Sequence, residues 1–129
     1  MKKPSRRASR VRDAVESAVV DTVGPDDNIF SALGLPDAEE LLSKALMARA
    51  VRRIIADRGL TQVSASRVLG ISQPDVSELT RGRLQGFSLD RLSRLLTLLG
   101  QDVRIVVQPK PASRTKATLR TLVRSARTN

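Results

Sequence analysis

The sequence predicts an all-α domain, a small helix bundle followed by one β-strand. Four segments between residues 37 and 99 carry apolar residues at helical spacing, and glycines or capping residues separate them. The last segment has a single clean apolar stripe, made of Leu89, Leu92, Leu95, Leu96 and Leu99. The β-branched run at residues 103–108, bounded by Pro109, is the one segment that predicts a strand.

Composition narrows the possible functions. The chain has 129 residues, which suits one domain with tails, and its core must be aliphatic because only 2% of the residues are aromatic. Cysteine and histidine are absent, so disulfides, thiolate metal sites and the commonest general base are excluded. We therefore expect no enzyme, no catalytic residues, no bound metal and no cofactor.

The sequence also lacks signs of membrane targeting. No apolar run approaches the ~20 residues that a membrane span needs. The segment after the basic N-terminus is too polar for a secretion signal. We expect a soluble, cytoplasmic protein.

Charge is distributed in blocks along the chain. The net charge is +10, and residues 1–12 and 110–129 each carry six Lys or Arg and no acid. Residues 13–43 carry eight acidic residues and no basic one, whereas residues 44–104 carry eleven basic and five acidic residues. Clustered positive charge suits a polyanion such as nucleic acid.

These blocks predict three regions. Residues 1–28 form a basic and then acidic tail that we expect to be largely disordered, with a marginal helix near residues 11–23. Residues 29–108 form the domain, which opens with an apolar patch at residues 29–35. Residues 109–129 form a basic tail, which we expect to be mobile.

The first helix of the domain follows Pro36 and ends at Gly59. Acids in its first turn and arginines near its end suit the helix macrodipole. Its predicted apolar face consists of Leu42, Leu46, Val51, Ile54 and Ile55.

The next helices are defined by their caps. Thr61 caps a helix at 62–69 that ends at Gly70. Ser72 caps a helix at 73–81, forms a capping-box pattern with Asp75, and is followed by Pro74 in the first turn. Ser88 caps the last helix, which Gly100 ends.

Two short helices joined by a glycine turn predict a helix-turn-helix motif. The close crossing needs a small residue on the first helix, and Ala65 or Ser66 can supply it. The residues expected to lock the pair are Val63, Val68, Leu69, Ile71, Val76 and Leu79.

Each of these helices begins with a glutamine that lies off the apolar stripe. Gln73, at the start of the second helix, can pair bidentately with adenine in the major groove. Gln62 can donate to a phosphate and brace Gln73. The predicted DNA-binding set is Gln62, Ser72, Gln73, Pro74, Ser77, Glu78, Arg81 and Arg83.

Two acids complicate this face. Asp75 and Glu78 lie on the second helix, where a carboxylate is unfavourable beside phosphates. Either could accept a hydrogen bond from cytosine N4, cap the helix, or pair with Arg81.

The motif resembles a known family. Residues 61–62, the run LGISQPDVS at 69–77 and Arg81-Gly82 are similar to the lambda-repressor-like helix-turn-helix of the Xre type. NIFSALGLPDAEELLSKA at 28–45 and GFSLDRLSRLLTLLGQDVRIVV at 86–107 resemble HigA-like antitoxins of type II toxin–antitoxin modules. Two positions depart from the pattern: Ser66 stands where alanine is usual, and Glu78 stands where a basic residue is common.

The resemblance implies a sequence-specific, nucleoid-associated bacterial repressor that controls its own operon and neutralises a RelE-like ribonuclease toxin. The acidic block at 13–43 could cover a basic toxin. A free-standing phage-type regulator and a protein-interaction module on the same scaffold remain alternatives.

A single strand needs a partner because its backbone groups are otherwise unpaired. We expect a homodimer in which residues 103–108 of two copies pair antiparallel, with Val103, Ile105 and Val107 facing the leucine helix. Such a dimer would place two recognition helices roughly 34 Å apart, to match a palindromic DNA operator. Pairing with another protein, or folding back on its own domain, would satisfy the same strand.

Overall fold

The computed structural model describes residues 37–124. The tail predicted at 1–28, with its marginal helix, and the apolar patch at 29–35 lie outside the described residues. The described chain forms four helices, as the sequence predicts: α1 at Ala38–Asp57, α2 at Gln62–Leu69, α3 at Gln73–Thr80 and α4 at Leu89–Leu98.

The long helix α1 packs on α4 through small and medium side chains. Val51 and Ile55 are buried as expected, whereas Leu42, Leu46 and Ile54 are only half-buried. The other buried positions are Ser43, Ala45, Met47 and Ala48. The predicted face was therefore partly wrong, because the largest apolar residues did not mark the line of closest approach.

The turn between α2 and α3 is built from local contacts. Thr61 and Ser64 form a reciprocal capping box at the start of α2, and Gly70 ends that helix with a φ of 65°. Ala65 is fully buried and is the small residue at the crossing. Ser66 instead donates its hydroxyl to the Ile71 carbonyl over 2.6 Å. The serine that departs from the family pattern therefore ties the turn to α2.

Two of the six residues expected to lock α2 against α3 do not do so. Leu69, Val76 and Leu79 are buried and Ile71 is partly buried, but Val63 and Val68 are 43% and 39% exposed. Ala65 and Leu69 lie four residues apart and define the inner face of α2. Val63 and Val68 lie off that face.

The core joins all four helices and the loop after α3. Val76, Leu79, Leu92 and Leu99 are at most 1% exposed, and the loop adds Leu84 and Phe87. The predicted leucine stripe of α4 is buried at four positions, with Leu89 packed at its margin.

An arginine within α1 and the arginine directly after it reach the ends of two other helices. Arg52 donates to the Leu79 carbonyl over 3.3 Å, and Arg58 donates to the Leu99 carbonyl over 2.7 Å. Each of these carbonyls also accepts a hydrogen bond from a nearby residue, and the guanidinium group adds a second, positively charged donor that complements the negative end of the helix dipole.

The segment after α4 is irregular throughout its described length. Residues 103–108 form no strand in the protomer, and Ile105 and Val107 are 82% and 93% exposed. These two side chains therefore do not face the leucine helix of their own chain. Residues 103–108 also do not fold back to pair with another described segment of the domain. Further on, the Leu119 N–H donates to the Glu39 carboxylate over 2.7 Å, which brings the segment back to the start of α1.

Truncating Leu69 to alanine should lower the free energy of unfolding by about 2–5 kcal/mol, because the lost methyl groups leave a cavity between α2 and α3. The adjacent Val68→Ala should cost less than about 1 kcal/mol, since that side chain is partly solvated. Urea denaturation of both variants measures the difference. Equal losses would show that both residues pack in the core.

Candidate nucleic-acid interface

The two glutamines stand free at the starts of α2 and α3. Both side chains are exposed, and neither amide makes a hydrogen bond to another described residue. Thr61 and Ser72 perform the capping instead, each accepting from the N–H three residues on. Because the caps are made by the preceding residues, both amides remain available to a ligand.

The expected brace between Gln62 and Gln73 is absent. No hydrogen bond joins the two amides in the described structure. Each glutamine would therefore have to act separately in any complex.

The other predicted residues differ in accessibility. Ser72 and Pro74 are exposed at the start of α3, while Ser77 and Glu78 are half-buried one turn further on. The Ser72 hydroxyl accepts the Asp75 N–H over 3.2 Å, which leaves its own hydrogen available as a donor. The predicted DNA-binding residues at the start of α3 are thus more exposed to solvent than those one turn further on.

Both acids of α3 are paired with arginines from outside the helix. Glu78 lies 3.7 Å from Arg83, and Asp75 lies 2.6 Å from Arg91. The predicted pairing of either acid with Arg81 is therefore wrong. Asp75 also does not complete a capping box, because its carboxylate points to α4.

Exposed basic side chains lie on α2 and directly after α3. Arg81, at the end of α3, is exposed and its guanidinium has no partner among the described residues. Arg67 on α2 is likewise exposed and was not predicted. Arg83 is exposed beside its glutamate. Such groups can bind phosphates, whose contacts position a protein on DNA without reading sequence.

Sequence reasoning missed Arg91. Its guanidinium contacts α3 and the loop before α4, and it lies 4.5 Å from the centre of the Phe87 ring. Asp75 and Arg91 are sixteen residues apart, so no helical or strand periodicity connects them.

Residues 37–124 offer neither a metal site nor a membrane span. No group of three or more acidic, histidine or cysteine side chains is placed to hold a metal ion there. None of the described helices is long and apolar enough to cross a membrane.

Comparison with known proteins agrees with this geometry. A family described as a helix-turn-helix domain matches residues 29–108. A solved structure described as an XRE family transcriptional regulator is 44% identical, with a TM-score of 0.64 over 70% of this chain and 100% of its own. A comparison with curated proteins finds no match. The chain therefore belongs to the XRE-type helix-turn-helix family of DNA-binding transcription regulators.

Proposed function

We propose that the protein is a sequence-specific repressor that binds a palindromic operator as a homodimer, with α3 in the major groove. The observation that carries this proposal is the pair of exposed side-chain amides at the first positions of α2 and α3, neither of which is bonded to another described residue. In helix-turn-helix proteins the start of the second helix contacts base edges, while the first helix crosses the backbone.

The two amides have different tasks in this arrangement. Gln73 supplies a donor and an acceptor in one plane, which matches N6 and N7 of adenine. Gln62 donates to a phosphate beside the groove. Arg81 and Arg83 add phosphate contacts after α3, where the loop leaves the helix.

Replacing Gln73 by alanine tests the reading role. The probe is a duplex that the wild-type protein selects from a random-sequence library, compared with a shuffled duplex of the same composition. Gln73→Ala should weaken binding to the selected duplex by about 1–3 kcal/mol and change binding to the shuffled duplex little, because a base contact is lost. Fluorescence anisotropy measures both affinities.

Gln62→Ala is the matched control. It should weaken binding to both duplexes by a similar amount, about 1 kcal/mol, since a phosphate contact carries no sequence information. A Gln73→Ala variant that weakens both duplexes equally would contradict the reading role. A wild-type protein that selects no duplex would favour the protein-interaction module.

The dimer proposal rests on the segment after α4. Its apolar residues Ile105, Val106 and Val107 are exposed in the protomer, and its backbone has no ladder partner among the described residues. A second copy, paired antiparallel about a two-fold axis, would cover both the side chains and the backbone. The half-site spacing would then follow from the strand pairing.

Ile105→Pro should convert the dimer into a monomer in sedimentation equilibrium, because proline removes a ladder donor and clashes within a paired strand. Ala112→Pro is the control. It lies outside the proposed strand, at the second position of a turn closed by the Arg114 N–H and the Pro111 carbonyl, where proline is accepted. An Ile105→Pro variant that stays dimeric would refute strand pairing.

We further propose that the protein is an antitoxin of a RelE-like ribonuclease. The family resemblance and the acidic block at residues 13–43 support this role. In the described part of that block, Asp37 and Glu39 are exposed, and Glu40 lies 3.9 Å from Lys44. A basic toxin surface would be complementary to such a block.

Co-expression with a small basic protein encoded next to this chain should relieve that protein's toxicity and yield a complex. Neutralising five acids of the block to Asn or Gln should weaken the complex at least tenfold in calorimetry, because opposite charges no longer meet; these are Asp13, Glu16, Asp21, Asp26 and Asp27. Neutralising Asp90 and Asp102, outside the block, is the control. The absence of any complex would favour the free-standing regulator.

A further inference from the structure

One guanidinium joins the recognition helix to the rest of the domain. Arg91 donates from Nη2 to the Asp75 carboxylate over 2.6 Å and from Nη1 to the Gly86 carbonyl over 2.9 Å. The same group stacks on Phe87, which is itself buried. Arg91 therefore contacts α3, the loop and the core at once.

The position of Asp75 makes this contact relevant to DNA. Asp75 is the third residue of α3, two residues after Gln73 and inside the turn that would enter the groove. Because a helix turn is rigid, a bond that fixes Asp75 also fixes the direction of Gln73. The planar fork of arginine suits this task better than lysine, since it can hold two acceptors at fixed angles.

The pair also controls a charge. An unpaired carboxylate in the first turn of α3 would repel phosphates and could accept a hydrogen bond from cytosine N4. With Arg91 in place, the carboxylate is paired and points toward α4. A change at Arg91 would thus alter both the aim of Gln73 and the set of bases that α3 accepts.

We infer that Arg91 is a positioning residue for DNA recognition, acting through Asp75 to set the sequence preference of α3. This inference rests on the proposed DNA-binding role of α3. It differs from a direct phosphate contact, in which Arg91 would add affinity for any duplex and would act independently of Asp75.

A double-mutant cycle separates these two roles. The variants are Arg91→Met, Asp75→Asn and the double variant, each measured on the selected and the shuffled duplex over a range of salt concentrations. Arg91→Met should reduce the ratio of the two affinities about tenfold, since coupled ionic contacts commonly show energies of this order. In the Asp75→Asn background, removing Arg91 should change that ratio less than about twofold.

Arg83→Met is the matched control, because Arg83 also pairs with an acid of α3 but lies where a phosphate contact is proposed. It should weaken both duplexes alike and lower the salt slope by about one unit, whereas Arg91→Met should leave the slope unchanged. Arg91→Lys should restore part of the ratio, as it keeps the charge but not the fork. Circular dichroism and thermal melting confirm that each variant is folded.

The outcomes are distinct. A wild-type protein that binds no duplex would reject the proposed function itself. The positioning role would be overturned if the wild-type protein discriminates between the two duplexes and Arg91→Met shows the same ratio of affinities as the wild type. An equal loss on both duplexes that persists in the Asp75→Asn background with a smaller salt slope would also overturn it, because that result identifies a phosphate contact. If Arg91→Met does not fold, Arg91→Lys and Asp75→Asn replace it. The positioning role then requires that their ratio of affinities for the selected and shuffled duplexes falls below that of the wild type.

Discussion

The close crossing of α2 and α3 is the constraint on which the rest of the structure depends. It requires Ala65, which has no side chain beyond Cβ, and a left-handed residue at Gly70, where glycine alone carries no steric penalty. The Ser66 hydroxyl then closes the turn on the Ile71 carbonyl. With this corner fixed, the first residues of both helices face solvent, and the glutamines are exposed as a consequence.

The electrostatics of the recognition helix follow a consistent arrangement. Neither of its acids is left alone, since Asp75 meets Arg91 and Glu78 meets Arg83. The two pairs are not equivalent: the first is short and packed on an aromatic ring, while the second is longer and about half exposed. A short, stacked pair restrains geometry, whereas an exposed pair can exchange its partner for a phosphate at small energetic cost.

Local chemistry made much of the fold predictable. Helix caps and helix ends use contacts within one helical turn, so the local sequence is enough to predict them. This applies to the caps at Thr61, Ser72 and Ser88 and to the ends at Gly70 and Gly100. The same is true of the leucine stripe of α4. The exposure of Gln62 and Gln73 also followed from their position beside the caps.

The remaining features depend on contacts between distant residues. The bonds from Arg52 and Arg58 to carbonyls of other helices, and the Asp75–Arg91 pair, join residues 16 to 41 positions apart. Val63 and Val68 were misplaced because a short helix offers too few turns to define its inner face by hydrophobicity alone. Residues 103–108 form no strand because no other segment of the described chain pairs with them.

The hydrogen bond from the Leu119 N–H to Glu39 places part of the basic tail against α1. The bond is exposed, so it contributes little to stability, but it spans 80 positions and brings the middle of the basic tail beside the acids that open α1. A basic segment and the acidic first turn of α1 thus meet at one corner of the domain. A fluorophore attached next to Leu119 would therefore lie near the first turn of α1, and the design of a labelled variant has to take that proximity into account.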